Sequence, residues 1–102
     1  MEFHSKIVGS TFCNGQKYFK ELEEGQDLVL EREPNNKFDE NAIRVLNLKG
    51  KKLGYIPRAT AEMMREHIDN GIIFTAIIAE ITGMEKDNQG CNLFITGVGY
   101  EI

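Results

Sequence analysis

The sequence predicts a mainly β fold: a small six-stranded antiparallel barrel or half-open sheet with one α-helix between strands four and five. Three observations carry this. Short runs that alternate apolar and polar residues or are rich in β-branched ones recur along the chain, as in Asp27 to Glu33, Asn41 to Leu48 and Ile72 to Thr82. Turn-forming clusters such as Pro34-Asn35-Asn36 and Gly50-Lys51 separate them. A single segment, Ala59 to Asn70, carries apolar residues near helical spacing.

Taken in order, Glu2 to Val8 alternates loosely and ends at Gly9, a first strand. Gly9 to Gly25 is irregular with room for a helical turn, and Gly25-Gln26 marks the stop before the next strand. Asp27 to Glu33, with Leu28 and Leu30 on one side, is strand two; Pro34 cannot donate to a ladder and ends it. Strand three, Asn41 to Leu48, places Ile43 and Val45 on one face, which period-two alternation expects to be buried with Leu28 and Leu30. Gly50-Lys51 fits a tight hairpin into strand four, Lys52 to Ile56. Pro57 suits the first turn of a helix, where its missing N–H costs nothing. The helix then sets Ala59, Met63, Met64 and Ile68 near one stripe, and Gly71 stops it. Ile72 to Thr82 is strand five, Gly83 to Gly90 a polar loop, and Asn92 to Val98 strand six.

A chain of 102 residues fits one domain, residues 1–102. It buries roughly 60–65% of its unfolded surface, enough for one core but not for a deep cleft. Hydrophobic residues make up 41% of the chain and mean hydropathy is −0.34, values typical of a soluble globular protein. Its apolar runs fall far short of the ~20 residues of a membrane span, and Met-Glu-Phe-His-Ser-Lys is not the start of a signal peptide. The expected location is the cytoplasm, with no membrane partner. Cys13, Cys91, His4 and His67 have no metal-ligand spacing, so no metal site and no cofactor are expected, and both thiols are expected to be free.

Net charge is −4, yet residues 31–58 hold seven basic side chains against four acidic ones, a local +3 on a remainder of −7. Such a surface engages phosphates weakly and with salt dependence; a solvated hairpin tip accounts for the same charges. No P-loop, Rossmann glycine signature or GxSxG occurs. Asp39 and Glu40 are adjacent, so on a strand they would diverge rather than pair for acid–base work. The chain is therefore read as non-enzymatic, with a metal-dependent nuclease using Asp39 and a distant glutamate as the remaining catalytic alternative.

The unusual stretch is Glu33-Pro34-Asn35-Asn36-Lys37-Phe38-Asp39-Glu40-Asn41. It crowds amides, carboxylates and a ring into a connection that needs only a few bland residues. One reading is a self-bonding turn: Asn35 and Asn36 tolerate left-handed backbone, Asp39 closes an Asx-turn on the Asn41 N–H, and Phe38 plugs the core beneath. The other is a surface built to hold a ligand.

The run Arg32-Glu33-Pro34-Asn35-Asn36-Lys37-Phe38-Asp39-Glu40-Asn41-Ala42-Ile43-Arg44-Val45, with Leu53-Gly54-Tyr55-Ile56-Pro57-Arg58 after it, resembles the HIRAN domain family. Ile7-Val8-Gly9 and Asn14-Gly15 are similar to its first segment, so the resemblance spans nearly the whole chain. It implies an OB-like six-stranded barrel with one helix. It also implies single-stranded DNA as partner, with recognition of a free 3′-hydroxyl end, in DNA repair, replication or mobile elements. Family members occur on SWI/SNF-type fork-remodelling helicases and as free-standing bacterial and phage proteins; this chain looks like the latter, working beside a separately encoded helicase or nuclease.

By that resemblance Asp39 matches the acceptor of the 3′-hydroxyl and Asn36 the amide beside it. Phe12 matches a base-stacking ring, and Tyr55 holds a position that is often histidine. Phe38 lines the same groove, with Thr11, Lys37 and Arg58 at its margins. The DNA-binding members carry an arginine and two aromatics after the first strand, where this chain has Thr11, Phe12 and Cys13. One charge and one ring fewer imply weaker DNA binding. The rival function is a protein–protein adaptor in which the Asn/Asp loop is purely structural.

Overall fold

The computed structural model describes residues 1–83 and 89–99, so most of the loop expected from Gly83 to Gly90 lies outside the described residues. Six strands form one antiparallel sheet: β1 (Glu2–Lys6), β2 (Asp27–Arg32), β3 (Ile43–Leu46), β4 (Lys52–Tyr55), β5 (Ile73–Thr82) and β6 (Gly90–Val98). Their order is β1-β6-β5-β2-β3-β4, with a helix, α1 (Arg58–Asp69), between β4 and β5. The irregular segment after β1 contains a 3₁₀ helix, Gly15–Glu21.

Alternation decides which side chains turn inward. Cys91, Leu93 and Ile95 of β6 are buried at every second position, and Ala76 and Ile78 of β5 lie beside them. Leu28, Ile43 and Val45 are buried as alternation requires, with Leu30 packed at the margin. Phe19 of the 3₁₀ helix and Ala61 and Met64 of α1 complete the core.

The curled sheet is held near closure by a short bridge between its edges. After β1 the Ile7 N–H bonds the Cys91 carbonyl at 3.0 Å; Val8 then leaves β6 and exchanges two 2.8 Å backbone hydrogen bonds with Tyr55 of β4. The first strand thus ends at Lys6, shorter than the expected Val8, because its last residues change partner. Gly54 makes this possible: a Cβ there would lie 2.5 Å from Ile7 Cγ2 and 2.6 Å from the Val8 carbonyl. The result is a half-barrel consistent with an OB-like fold.

Three sequence expectations shift. Strand three stops at Leu46, because Asn47 takes over as the turn former. Its buried Oδ1 accepts the N–H groups of Lys49 and Lys51 at 2.9 Å each, while its own N–H bonds the Lys51 carbonyl at 2.9 Å. The hairpin turn therefore runs from Asn47 to Lys51 rather than resting on Gly50-Lys51, and Leu48 is exposed at its tip. Pro57 sits at the N-cap of α1, one place before its first turn. The buried stripe is Ala61, Met64 and, in part, Ile68, at i, i+3 and i+7; Ala59 and Met63 face outward. The far end closes as expected: Gly71, at φ 93°, lets the Ile72 N–H reach the His67 carbonyl and the Gly71 N–H reach that of Ile68, a Schellman cap.

Among the described residues no helix is long and apolar enough to cross a membrane.

Candidate functional site

The segment between β2 and β3 folds into a knot of side-chain-to-backbone hydrogen bonds. Asn36 Oδ1 accepts the N–H groups of Phe38 (2.9 Å) and Asp39 (3.1 Å), and its Nδ2 donates to Glu33 Oε1 (3.0 Å). Asp39 Oδ1 accepts the Asn41 N–H at 2.9 Å, the Asx-turn the sequence suggested. Helix α1 grips the far side, where Arg65 Nη1 donates to Asn41 Oδ1 at 2.5 Å. This bonding holds the loop rigid, yet it does not bury it. Phe38 is 81% exposed, so it is not a core plug.

The outer wall of that loop faces the segment following β1 across a groove of about 440 Å³. Phe12, 82% exposed, lines it together with Asn36, Phe38 and Asp39. Val8, Ala42, Tyr55 and Ile56 also line it, and Arg58, the first residue of α1, stands at its margin. Six of the residues singled out in the sequence are thus brought together: Phe12, Asn36, Phe38, Asp39, Tyr55 and Arg58. Lys37 is exposed but does not line the groove, and Thr11 lines a neighbouring depression with Asn14, Gln16 and Lys17.

Sequence reasoning missed the apolar lining of Val8, Ala42 and Ile56. Ala42 and Ile56 lie within the quoted motif, but only the bridge between Val8 and Tyr55 shows that they line one groove.

The polar capacity of the groove is narrow. Asn36 Oδ1 is spent on the loop backbone, leaving one amide hydrogen for a ligand. The Tyr55 hydroxyl donates to Glu33 Oε1 at 2.9 Å and accepts from Lys52 Nζ at 2.8 Å, so the tyrosine gives the groove its ring. Asp39 Oδ2 is the carboxylate oxygen not engaged by the Asx-turn; Arg58 Nε lies 3.8 Å from it, and Arg58 Nη2 is 3.5 Å from the Phe38 carbonyl. Of the seven basic residues in the +3 segment, Arg58 alone lines the groove. Arg32, Arg44 and Lys52 are turned to Asp69, Glu31 and Glu33.

Beneath the loop, Glu33 also receives Lys52 Nζ on Oε2 at 2.9 Å, and its side chain is only 15% exposed. Burial alone would raise its pKa, but hydrogen bonds from Lys52, Asn36 and Tyr55, with the lysine charge, hold it below the usual 4.5. Lys52 is held above its ordinary 10.5 by hydrogen bonds to Tyr55 and Glu33, against the effect of burial. Both cysteines are free; Cys91 is buried and its thiol is pushed up to about 11 by burial, while Cys13, beside Phe12, is partly exposed. Among the described residues no cluster of His, Cys, Asp and Glu is suited to a metal ion.

A curled six-stranded antiparallel sheet with one helix after its fourth strand, bearing an aromatic groove on loops at one end, defines an OB-like domain. Its family follows from comparison: the HIRAN domain profile matches residues 1–97, and the chain belongs to that family. The crystal structure of the HIRAN domain of human HLTF superposes with a TM-score of 0.78 at 24% identity, covering 98% of this chain and 77% of that one. The NMR structure of the HLTF HIRAN domain in its DNA-bound conformation gives 0.70 at 24% identity, over 98% and 76% of the two chains. The mouse helicase-like transcription factor is 39% identical over 57 residues, 55% of this chain and 6% of that protein. The chain thus spans less than a tenth of the curated relatives it matches.

Proposed function

We propose that residues 1–102 act as a single nucleic-acid-binding module without catalysis of its own, taking single-stranded DNA by a free 3′-hydroxyl end. The observation that carries this is the groove itself: two rings more than four-fifths exposed, Phe12 and Phe38, line it together with Asp39, whose Oδ2 is left out of the Asx-turn and lies 3.8 Å from Arg58 Nε. Exposed rings of this size are costly to leave in water unless something stacks on them, and every base offers a π-face. Phe38, lining the same groove, supplies the second ring that the segment after β1 lacks. Asp39 Oδ2 accepts a hydrogen bond from a terminal hydroxyl, and Arg58 beside it meets one phosphate. The DNA-bound conformation solved for the HLTF HIRAN domain, which shares this fold, supports the assignment. The setting proposed for the module is DNA repair, replication or mobile elements, beside a separate helicase or nuclease; the similarity to a helicase-like transcription factor supports the link to helicase-type proteins.

The test is a fluorescence-anisotropy titration of the protein with short single-stranded oligodeoxynucleotides ending in 3′-hydroxyl or 3′-phosphate, at two salt concentrations. Binding is expected to favour the hydroxyl end by about tenfold or more, since a phosphate removes the donor and opposes a carboxylate. Salt is expected to weaken it gently, because one arginine lines the groove. Equal affinity for the two ends removes the end-reading role; absence of binding at low salt leaves the protein–protein adaptor, with the loop as scaffold.

A further inference from the structure

Glu33 lies outside the groove lining, yet three groups that shape the groove or its support end on its carboxylate. Oε1 receives the Tyr55 hydroxyl and the Asn36 amide; Oε2 receives Lys52 Nζ, with Arg44 Nη1 3.7 Å away. Tyr55 belongs to β4 and lines the groove; Asn36 belongs to the loop and is its wall. Asn36, while its Nδ2 is held by Glu33, turns its Oδ1 to the N–H groups of Phe38 and Asp39. The chain of contacts therefore runs from a half-buried carboxylate through one amide to the two residues that present a ring and an acceptor to the groove.

We infer that Glu33 is the positioning residue of the groove: it fixes Tyr55 directly and sets Phe38 and Asp39 through the Asn36 amide. This rests on the groove being the binding site, as proposed above, but the placement of the loop is a property of the free protein and can be read without a ligand. A planar amide has one orientation in which Nδ2 meets Glu33 and Oδ1 meets the two N–H groups; rotating it by half a turn breaks all three bonds. An ionised acceptor at position 33 selects that orientation, because a carboxylate accepts and cannot donate. A glutamine there keeps the shape but brings an NH₂ that competes for the same place, and the selection is lost. Lys52, bonded to Oε2, supplies the positive charge that favours the ionised carboxylate beneath the loop.

The experiment compares the protein with Glu33→Gln, Asn36→Ala and the double variant, measuring amide hydrogen exchange by NMR without ligand. Affinity is then measured for a short oligothymidylate with a free 3′-hydroxyl. Glu33→Gln is expected to speed exchange of the Phe38 and Asp39 amides by about tenfold or more, well beyond the change at Ala76 and Leu93 in the β5–β6 ladder. The double variant is expected to add little to Asn36→Ala at those two amides, since both act through one relay. Additive effects, or unchanged exchange in Glu33→Gln, overturn the inference. Exchange sped at Ala76 and Leu93 by as large a factor as at Phe38 and Asp39 makes Glu33 a support of the whole fold and also overturns it. Should Glu33→Gln fail to fold, Glu33→Asp decides: its shorter carboxylate draws away from the Asn36 amide, so the same two amides are expected to exchange faster, and unchanged exchange overturns the inference. The oligothymidylate is expected to bind Glu33→Gln about tenfold more weakly. If the unaltered protein does not bind it at all, the functional reading fails while the exchange arm still decides the role of Glu33.

Discussion

At the scale of single residues, the groove is expected to divide its work between rings that are indifferent to the ligand's end and one carboxylate that is not. Phe12→Ala is expected to weaken 3′-hydroxyl and 3′-phosphate oligonucleotides alike, by ~1–3 kcal/mol for one lost stacking contact. Asp39→Asn is expected to narrow the gap between the two ends in the same titration, because the repulsion disappears while an acceptor remains. The substitution keeps an oxygen for the Asn41 N–H, so the turn survives and a general loss of fold does not confuse the result. The cysteines differ as sharply. Cys91 is 2% exposed with its thiol raised to about 11, whereas Cys13 lies partly open in the loop carrying Phe12. Native-state alkylation followed by intact mass is expected to add one adduct quickly at Cys13 and the second only on unfolding. Rapid double labelling would contradict the placement of Cys91.

Among the elements, the β3–β4 hairpin shows where local chemistry overrides a strand pattern. Asn41 to Leu48 alternates well enough to be read as one strand, but Asn47 satisfies two backbone N–H groups and folds the chain back early. Asn47→Ala is expected to cost ~1–3 kcal/mol in chemical denaturation, the penalty for leaving donors without their buried partner. Lys51→Ala, on the exposed end of the same turn, is expected to change stability by no more than ~0.5 kcal/mol. Equal effects would place the turn elsewhere. The helix follows the same lesson. Four apolar residues near helical spacing in the sequence do not say which of them faces the sheet, and the side that packs is Ala61-Met64-Ile68 because α1 starts one residue before Ala59 and lies with that stripe inward.

For the whole molecule, the ionised knot around Glu33 couples fold and groove to pH. Glu33 is held below 4.5 in the folded protein, so its contribution is present in full above the ordinary carboxylate range and is lost as pH falls through the lowered value. Lys52 is held above 10.5, so its contribution is present below that value and lost as pH rises through the raised one. Lys52 and Tyr55 from β4, Arg44 from β3 and Asn36 from the loop are the groups that face Glu33. The difference in stability between the protein and Glu33→Gln is therefore expected to be flat across neutral pH and to shrink below about 4.5. Denaturation midpoints measured over that range check it, and a difference that grows toward acid pH would assign the opposite sign to the knot.

The sequence by itself determined the β-rich order, the helix after the fourth strand, the stop at Gly71 and the loop that gives the groove Asn36, Phe38 and Asp39. These depend on short-range facts: alternation, glycine and proline chemistry, and the reach of an asparagine or aspartate side chain to nearby backbone. Only the tertiary structure decided that Val8 leaves β6 to pair with Tyr55, that Phe12 and Phe38 line one groove, and that Lys37 and Thr11 lie outside its lining. It also decided that Glu33, Tyr55 and Lys52 meet beneath the loop. Such contacts join residues from different strands, and their existence depends on how far the sheet curls. That curl is summed over every strand pair and the bulges within them, so no local window of sequence records it.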